Sequence, residues 1–276
     1  MPLPYIILDT DGSGLAAKVA FNGIVLTDAS LVPPVRHSNR LNGWVVQGRN
    51  LLRVTLRAIP QPEEQPKPAQ TRSDGPAPPE RSANGPHFSL RLRSVMPGED
   101  TGSDSVLAEY RWDSAALPLV LGQPDVIALE RGLTLDAPGP WLWTQAAAMP
   151  RLQAADLNAV ADLLAELRDA LANKSIADVL RLQSVQLREQ AIAIGDDPVA
   201  LNQRYREFLT GRMALPDWNV APFERRALTA TAMADGRVQR IADAAGQPLI
   251  VATCEAGVFA ILPFVAKNSG EWRIVR

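Results

Sequence analysis

The stretch that decides the fold is Phe223 to Arg276, closing on Gly270-Glu-Trp-Arg-Ile-Val-Arg276. It reads as strand, turn, strand, with no helical run inside it. Strands are expected at Arg226 to Met233, Arg237 to Asp243, Pro248 to Glu255, Val258 to Ala266 and Trp272 to Val275. Asp235-Gly236, Glu255-Ala-Gly257 and Asn268-Ser-Gly270 mark tight turns, because Gly and Asn adopt the positive φ that such turns need. The connections are short, so sequential strands are expected to pair antiparallel.

Working outward, residues 156 to 211 are helical in pattern. Leu157, Val160, Leu164, Leu167 and Leu171 recur every three or four residues and lay one apolar stripe along a helix. Asn173-Lys-Ser175 breaks it, and the Ser175 hydroxyl is placed to cap a second helix bearing Ile176, Val179, Leu180, Leu182, Val185 and Leu187. Gly195-Asp-Asp-Pro198 opens a third, with Tyr205, Phe208 and Leu209 on its apolar side and Pro198 in the first turn, where a missing N–H costs nothing.

The front half is β in pattern. Tyr5 to Leu8 is a short strand, Asp9-Thr-Asp-Gly-Ser-Gly14 a turn, and Ala17 to Phe21 with Ile24 to Thr27 a hairpin across Asn22-Gly23. Leu41 to Val46 and Asn50 to Arg57 are expected to form a second hairpin. His87 to Arg93 and Val106 to Trp112 supply further strands, and Leu142 to Gln145 a last short one. Between them, residues 60 to 86 hold eight of the chain's 23 prolines and no aromatic residue. Such a segment buries too little apolar surface to offset its ordering entropy, and it reads as a mobile loop between two strands of one sheet. The expected architecture is α+β in two domains: a β-sandwich over 1–149, then helices with a curved, cone-like antiparallel sheet over 150–276.

Composition narrows function. The net charge is −2, with acids and bases spread along the chain, so no basic stripe invites nucleic acid or an anionic membrane. One cysteine, Cys254, excludes an internal disulfide and a Cys-rich zinc site, and two histidines, His37 and His87, stand fifty residues apart. No metal or cofactor is expected. The apolar run after Met1 stops at Leu8, too short for a signal peptide or a span, which suggests a cytoplasmic protein.

Residues 156 to 276 resemble the nuclear transport factor 2-like superfamily in layout, and Lys267, Gly270, Trp272, Arg273 and Ile274 stand where that superfamily's last strand carries its Gly-Trp-basic-apolar pattern. The resemblance implies a concave sheet covered by helices, a possible homodimer, and either a binding module or a small isomerase or dehydratase; it carries over no catalytic residue. The front half loosely resembles carbohydrate-binding β-sandwich modules through Phe21-Asn-Gly-Ile-Val and Trp44-Val-Val-Gln-Gly-Arg-Asn-Leu-Leu.

The candidates for chemistry each have a plainer structural reading. Cys254 lies in an apolar strand and is expected to be packed. His37 is expected on a loop. Asp9, Asp11 and Ser13 match the start of a calcium loop, but Ala20 stands where its final acid belongs, so a plain turn is expected. Trp141 and Trp143 share a face if extended and make the best interface pair. The residues expected to touch a ligand in the cone are Tyr205, Phe208, Trp218, Phe259 and Trp272; Asp235, Glu255 and Tyr205 are the only seeds for proton transfer there. The leading expectation is a non-enzymatic, bacterial-type binding protein for a partner protein or small ligand. The alternatives are an isomerase-like enzyme and a toxin-neutralising or secretion-adaptor protein.

Overall fold

The computed structural model describes residues 4–60, 85–98, 104–114, 126–136 and 139–276. Among the described residues the chain is mixed α+β, with its strands in four antiparallel sheets. In the first half, strands β1 (Tyr5–Ser13), β2 (Ala16–Phe21), β3 (Ile24–Ser30), β4 (Val35–Arg40), β5 (Gly48–Arg57), β6 (His87–Val95), β7 (Ser105–Asp113) and β8 (Val126–Leu135) form sheets of order β4-β1-β6-β7 and β3-β2-β5-β8. Alternation does the folding work. Ile6 and Leu8 of β1, Phe88, Leu90 and Leu92 of β6, Val19 and Phe21 of β2, and Leu52, Val54 and Leu56 of β5 are buried in one cluster, while Arg53, Arg57 and Arg91 stay outside.

Asp9 to Ser13 is strand, not turn: β1 runs nine residues because Asp9 and Asp11 find cross-strand arginine partners, Arg93 and Arg36. His37 lies on edge strand β4, not on a loop. Leu41 to Val46 is no hairpin arm; Asn42–Trp44 is a 3-10 turn, and β5 pairs with β2 and β8 instead. The expected strand at Leu142 to Gln145 is also a 3-10 turn. Strand β8 answers to none of the expected strands. The loop expected over 60 to 86 falls largely on 61–84, outside the described residues; its flanking strands β5 and β6 belong to different sheets, so it does not join two strands of one sheet.

Helices α1 (Ala154–Ala172), α2 (Ile176–Leu182), α3 (Ser184–Ile194) and α4 (Pro198–Met213) follow. The single second helix of the sequence reading is two, broken at Gln183, so the described residues hold four helices where three were expected. Ser175 does not cap α2 through a backbone N–H; its hydroxyl donates to Asp178 at 2.6 Å. Asp197 does cap α4, accepting from the Val199 N–H.

The closing strands are β9 (Asn219–Val220), β10 (Thr229–Met233), β11 (Val238–Ala242), β12 (Ile250–Cys254), β13 (Gly257–Ile261), β14 (Phe264–Asn268) and β15 (Glu271–Ile274). They split into sheets of order β10-β11-β14-β15 and β13-β12-β9. Sequential pairing holds for β10–β11, β12–β13 and β14–β15, but β11 pairs with β14 rather than β12. The long strand expected over Val258 to Ala266 is cut at Leu262-Pro263, since proline cannot donate to a ladder. Pairing resumes beyond the cut, where the Ile241 N–H donates to the Pro263 carbonyl at 2.9 Å. Val160, Leu164, Leu167 and Leu171 of α1, Val179, Leu209 and Met213 meet Ile241, Ile250, Ala252, Val265 and Ile274 of these strands in a second apolar cluster.

Candidate functional site

A cleft of about 930 Å³ lies where the front sheets meet the closing strands. Its construction starts at Asn22-Gly23. Both residues have positive φ (51° and 75°), as the hairpin turn requires. The Asn22 amide donates to the Trp44 carbonyl at 2.8 Å and to Asn50 Oδ1 at 2.7 Å, and its Oδ1 accepts from the Leu51 N–H at 2.8 Å. Asn50, wholly buried, completes the lock through both the N–H and the carbonyl of Val46 and the carbonyl of Gly48. A buried amide is tolerable only when satisfied in this way. Two asparagines thus fix the 42–48 turn and the β2–β3 hairpin as one rigid wall.

The adjoining wall is the turn Ala234-Asp235-Gly236. Its three φ angles are 48°, 56° and 84°, a left-handed turn with two non-glycine residues in it. Such a residue costs about 1–2 kcal/mol, and contacts on both sides hold the turn. The Ala234 N–H donates to the Gly23 carbonyl, and the Gly236 carbonyl accepts from the Met149 N–H at 2.8 Å. Asp235 at its apex is exposed and has no ion-pair or hydrogen-bond partner among the described residues. The other charged groups of the cleft are engaged: Arg53 pairs with Glu130 at 2.6 Å, and Arg237 donates to the Ala146 carbonyl at 2.9 Å.

The floor is aromatic. Trp141 donates to the Val45 carbonyl at 2.6 Å and Trp143 to the Gly43 carbonyl at 3.3 Å, so both indoles pin the 139–146 segment to the 42–46 turn. Behind them Arg276 reaches inward. Its guanidinium lies 5.1 and 5.2 Å from the Trp44 and Trp141 ring centres, donates to the Gly43 carbonyl at 2.6 Å and pairs with Glu189 of α3 at 2.7 Å. Glu189 is 2% exposed, and its second oxygen accepts from the Leu142 N–H. Burial lowers the Arg276 pKa, against which the Glu189 carboxylate pushes it back up.

No protein-family model, curated protein or solved structure matches the chain.

The expected site residues fall elsewhere. Four of the five come together away from the cleft: Tyr205 and Phe208 stack at 6.3 Å, Phe208 meets Phe259 at 6.0 Å, and Phe259 meets Trp218 at 6.2 Å. Tyr205 donates to Gln183 at 3.0 Å, and burial pushes its pKa up to about 12. Trp218 donates to the Leu171 carbonyl. Trp272 stands apart, beside Lys267, which pairs with Asp156 at 2.7 Å. That hydrogen bond lowers the Asp156 pKa; the Trp272 N–H adds to the effect from close by, short of full hydrogen-bond geometry. The proton-transfer seeds lie in three places: Tyr205 on α4, Asp235 in the cleft wall, Glu255 on the β12–β13 turn. Trp141 and Trp143 are buried within the molecule. Cys254 Sγ is 3.6 Å from Arg212 Nη1 and from the Gly257 carbonyl. His37 borders a shallow depression with Asp9, Asp11 and Arg91, and His87 opens β6.

Sequence reasoning passed over Asn50, Asp235 as a cleft residue, and the Glu189–Arg276 pair. Two of these left a signal. Asn50 falls in phase with Leu52, Val54 and Leu56, a polar side chain at a core position. Glu189 interrupts the apolar stripe of α3. A polar group in a buried phase implies a committed partner.

Proposed function

We propose that the protein is a non-enzymatic binding protein, and that its ligand or partner segment occupies the cleft lined by the Asn22-Gly23 hairpin and the Ala234-Asp235-Gly236 turn. In this reading a β-sandwich unit over 1–149 meets a helix-and-curved-sheet unit over 150–276, and the binding site is their seam. The observation that carries it is the left-handed turn: two non-glycine residues are held in a costly conformation, and the result presents an uncommitted carboxylate to the 930 Å³ cleft. Local strain of this kind clusters at ligand clamps. The apolar lining from Ala20, Val46, Leu51 and Trp141 supplies contact area, and Asp235 supplies orientation toward a cationic group. A site in the helix–sheet interior is not put forward, because the second apolar cluster occupies that space.

The test is a cleft-filling variant, Ala20→Trp, with Asp235→Asn beside it. Wild type should bind a cationic partner or small amine found by screening, Ala20→Trp should abolish that binding, and Asp235→Asn should weaken it about tenfold or more, all with unchanged melting. Binding that survives both substitutions, or substrate turnover lost on changing Tyr205 or Glu255, would overturn the proposal.

A further inference from the structure

We infer that β13 is an assembly edge, and that the chain forms a homodimer by antiparallel pairing of β13 with β13 of a second copy. This inference is independent of the cleft.

Edge strands present alternate unpaired N–H and C=O groups, and natural proteins guard them with charge, proline or cover. Five other edges here follow that rule. Strand β3 carries Asp28; β4 carries Arg36, His37 and Arg40; β7 carries Glu109, Arg111 and Asp113; β8 carries Glu130 and Arg131; β15 carries Glu271 and Arg273. The uncharged edge β10 still carries Thr229 and Thr231. Strand β13 reads Gly257-Val-Phe-Ala-Ile261, with no charged or hydrogen-bonding side chain. Among the described residues its sole strand partner is β12. Gly257, Val258 and Ala260 are exposed, Val258 at 71%, and Phe208 of α4, beside Phe259, is 42% exposed. An apolar patch therefore adjoins an open ladder, and what completes an open ladder is another strand.

The residue sizes favour a second copy as that strand. In a two-fold antiparallel pairing centred on Phe259, Val258 faces Ala260 of the partner and Ala260 faces Val258. Gly257 faces Ile261, and the reverse. The two Phe259 rings meet at the axis. Each larger aliphatic side chain thus lies opposite a smaller residue, and the one equal pair is aromatic, which is favourable across strands. An isologous contact of this kind closes on itself and covers both β13 edges, with the two-residue β9 left as the outer strand on each side. Each copy's Phe208 then flanks the joined strands and loses water.

The test is sedimentation equilibrium of the full chain up to roughly 100 µM, because dimer population follows concentration. Wild type should give twice the 29.9 kDa of one chain. Val258→Lys and Ala260→Lys should each give the monomer mass with an unchanged far-UV spectrum, since both positions are exposed. Thr231→Lys on edge β10 should leave the dimer intact. A monomeric wild type across the whole range, or a dimer that persists in both β13 variants, would overturn the inference.

Discussion

At the scale of single residues, the costliest arrangement is the buried Glu189–Arg276 pair. Two charges taken from water repay their desolvation only if every lobe is satisfied. Here Glu189 meets both Arg276 and the Leu142 N–H, while Arg276 also has the Gly43 carbonyl and two indole rings. Glu189→Gln leaves the guanidinium buried without its counter-charge, and urea titration should show a loss of about 3–5 kcal/mol. The double change Glu189→Leu with Arg276→Met should cost less than the sum of the single changes, since no lone charge remains buried. Tyr205 makes a second, pH-dependent prediction. Its pKa rises in the folded chain from the ordinary 10.0 to about 12, so the neutral phenol favours folding fully below pH 10. That contribution drains away as pH climbs through about 12, because the unfolded chain ionises first. Stability measured at pH 9 and pH 11 should fall less in Tyr205→Phe than in wild type, by roughly 1 kcal/mol. An equal fall in both proteins would show that the phenol is not buried against Gln183.

Among the elements, the turn at Gly236 is packed backbone against backbone. A Cβ there would stand 2.6 Å from the Pro150 nitrogen and 2.7 Å from the Met149 carbonyl carbon, both backbone atoms, at φ 84°. Neither neighbour can swing aside, so Gly236→Ala should destabilise by about 2–4 kcal/mol and lower the melting temperature by several degrees. Gly257→Ala, with open space around its Cβ at φ 110°, should cost less. The same turn shows what the sequence could reveal. Asp235-Gly236 was legible as a turn because its chemistry is local, and so were α1, α4, β6 and the Asn22-Gly23 hairpin. Features set by distant partners were not legible. Asp9 and Asp11 look like turn residues until Arg93 and Arg36 arrive from other strands to extend β1. Residues 142–145 read as a short strand, yet the Trp141 and Trp143 indoles bind carbonyls about a hundred residues away and wind the segment into a 3-10 turn. The cleft was illegible for the same reason, since its two walls lie more than two hundred residues apart in the chain.

Across the whole molecule, the cohesive feature is that the first apolar cluster does not stop at Met149. It holds Ile6, Phe21 and Leu90 from the front sheets, Trp141 and Trp143 from the connecting segment, and Ala193, Met233, Val238, Ala266 and Val275 from the closing half. The Trp44 ring packs edge-on against Phe264 at 5.3 Å, tying a front-half turn to strand β14. Apolar burial at about 25 cal/mol per Å² makes such shared surface a coupling energy between the two halves. Unfolding either half exposes the other's buried face, so thermal melts followed by tryptophan fluorescence and by far-UV circular dichroism should coincide in one transition. A fragment of residues 1–149 should show reduced protection and a tendency to associate, because the surface that Met233, Val238 and Phe264 cover would face water. Trp143→Ala should lower the single midpoint without splitting it. If instead the two probes separate, or the fragment melts as cooperatively as the intact chain, the halves are energetically independent and the cleft between them is free to open, which would change how a ligand could enter it.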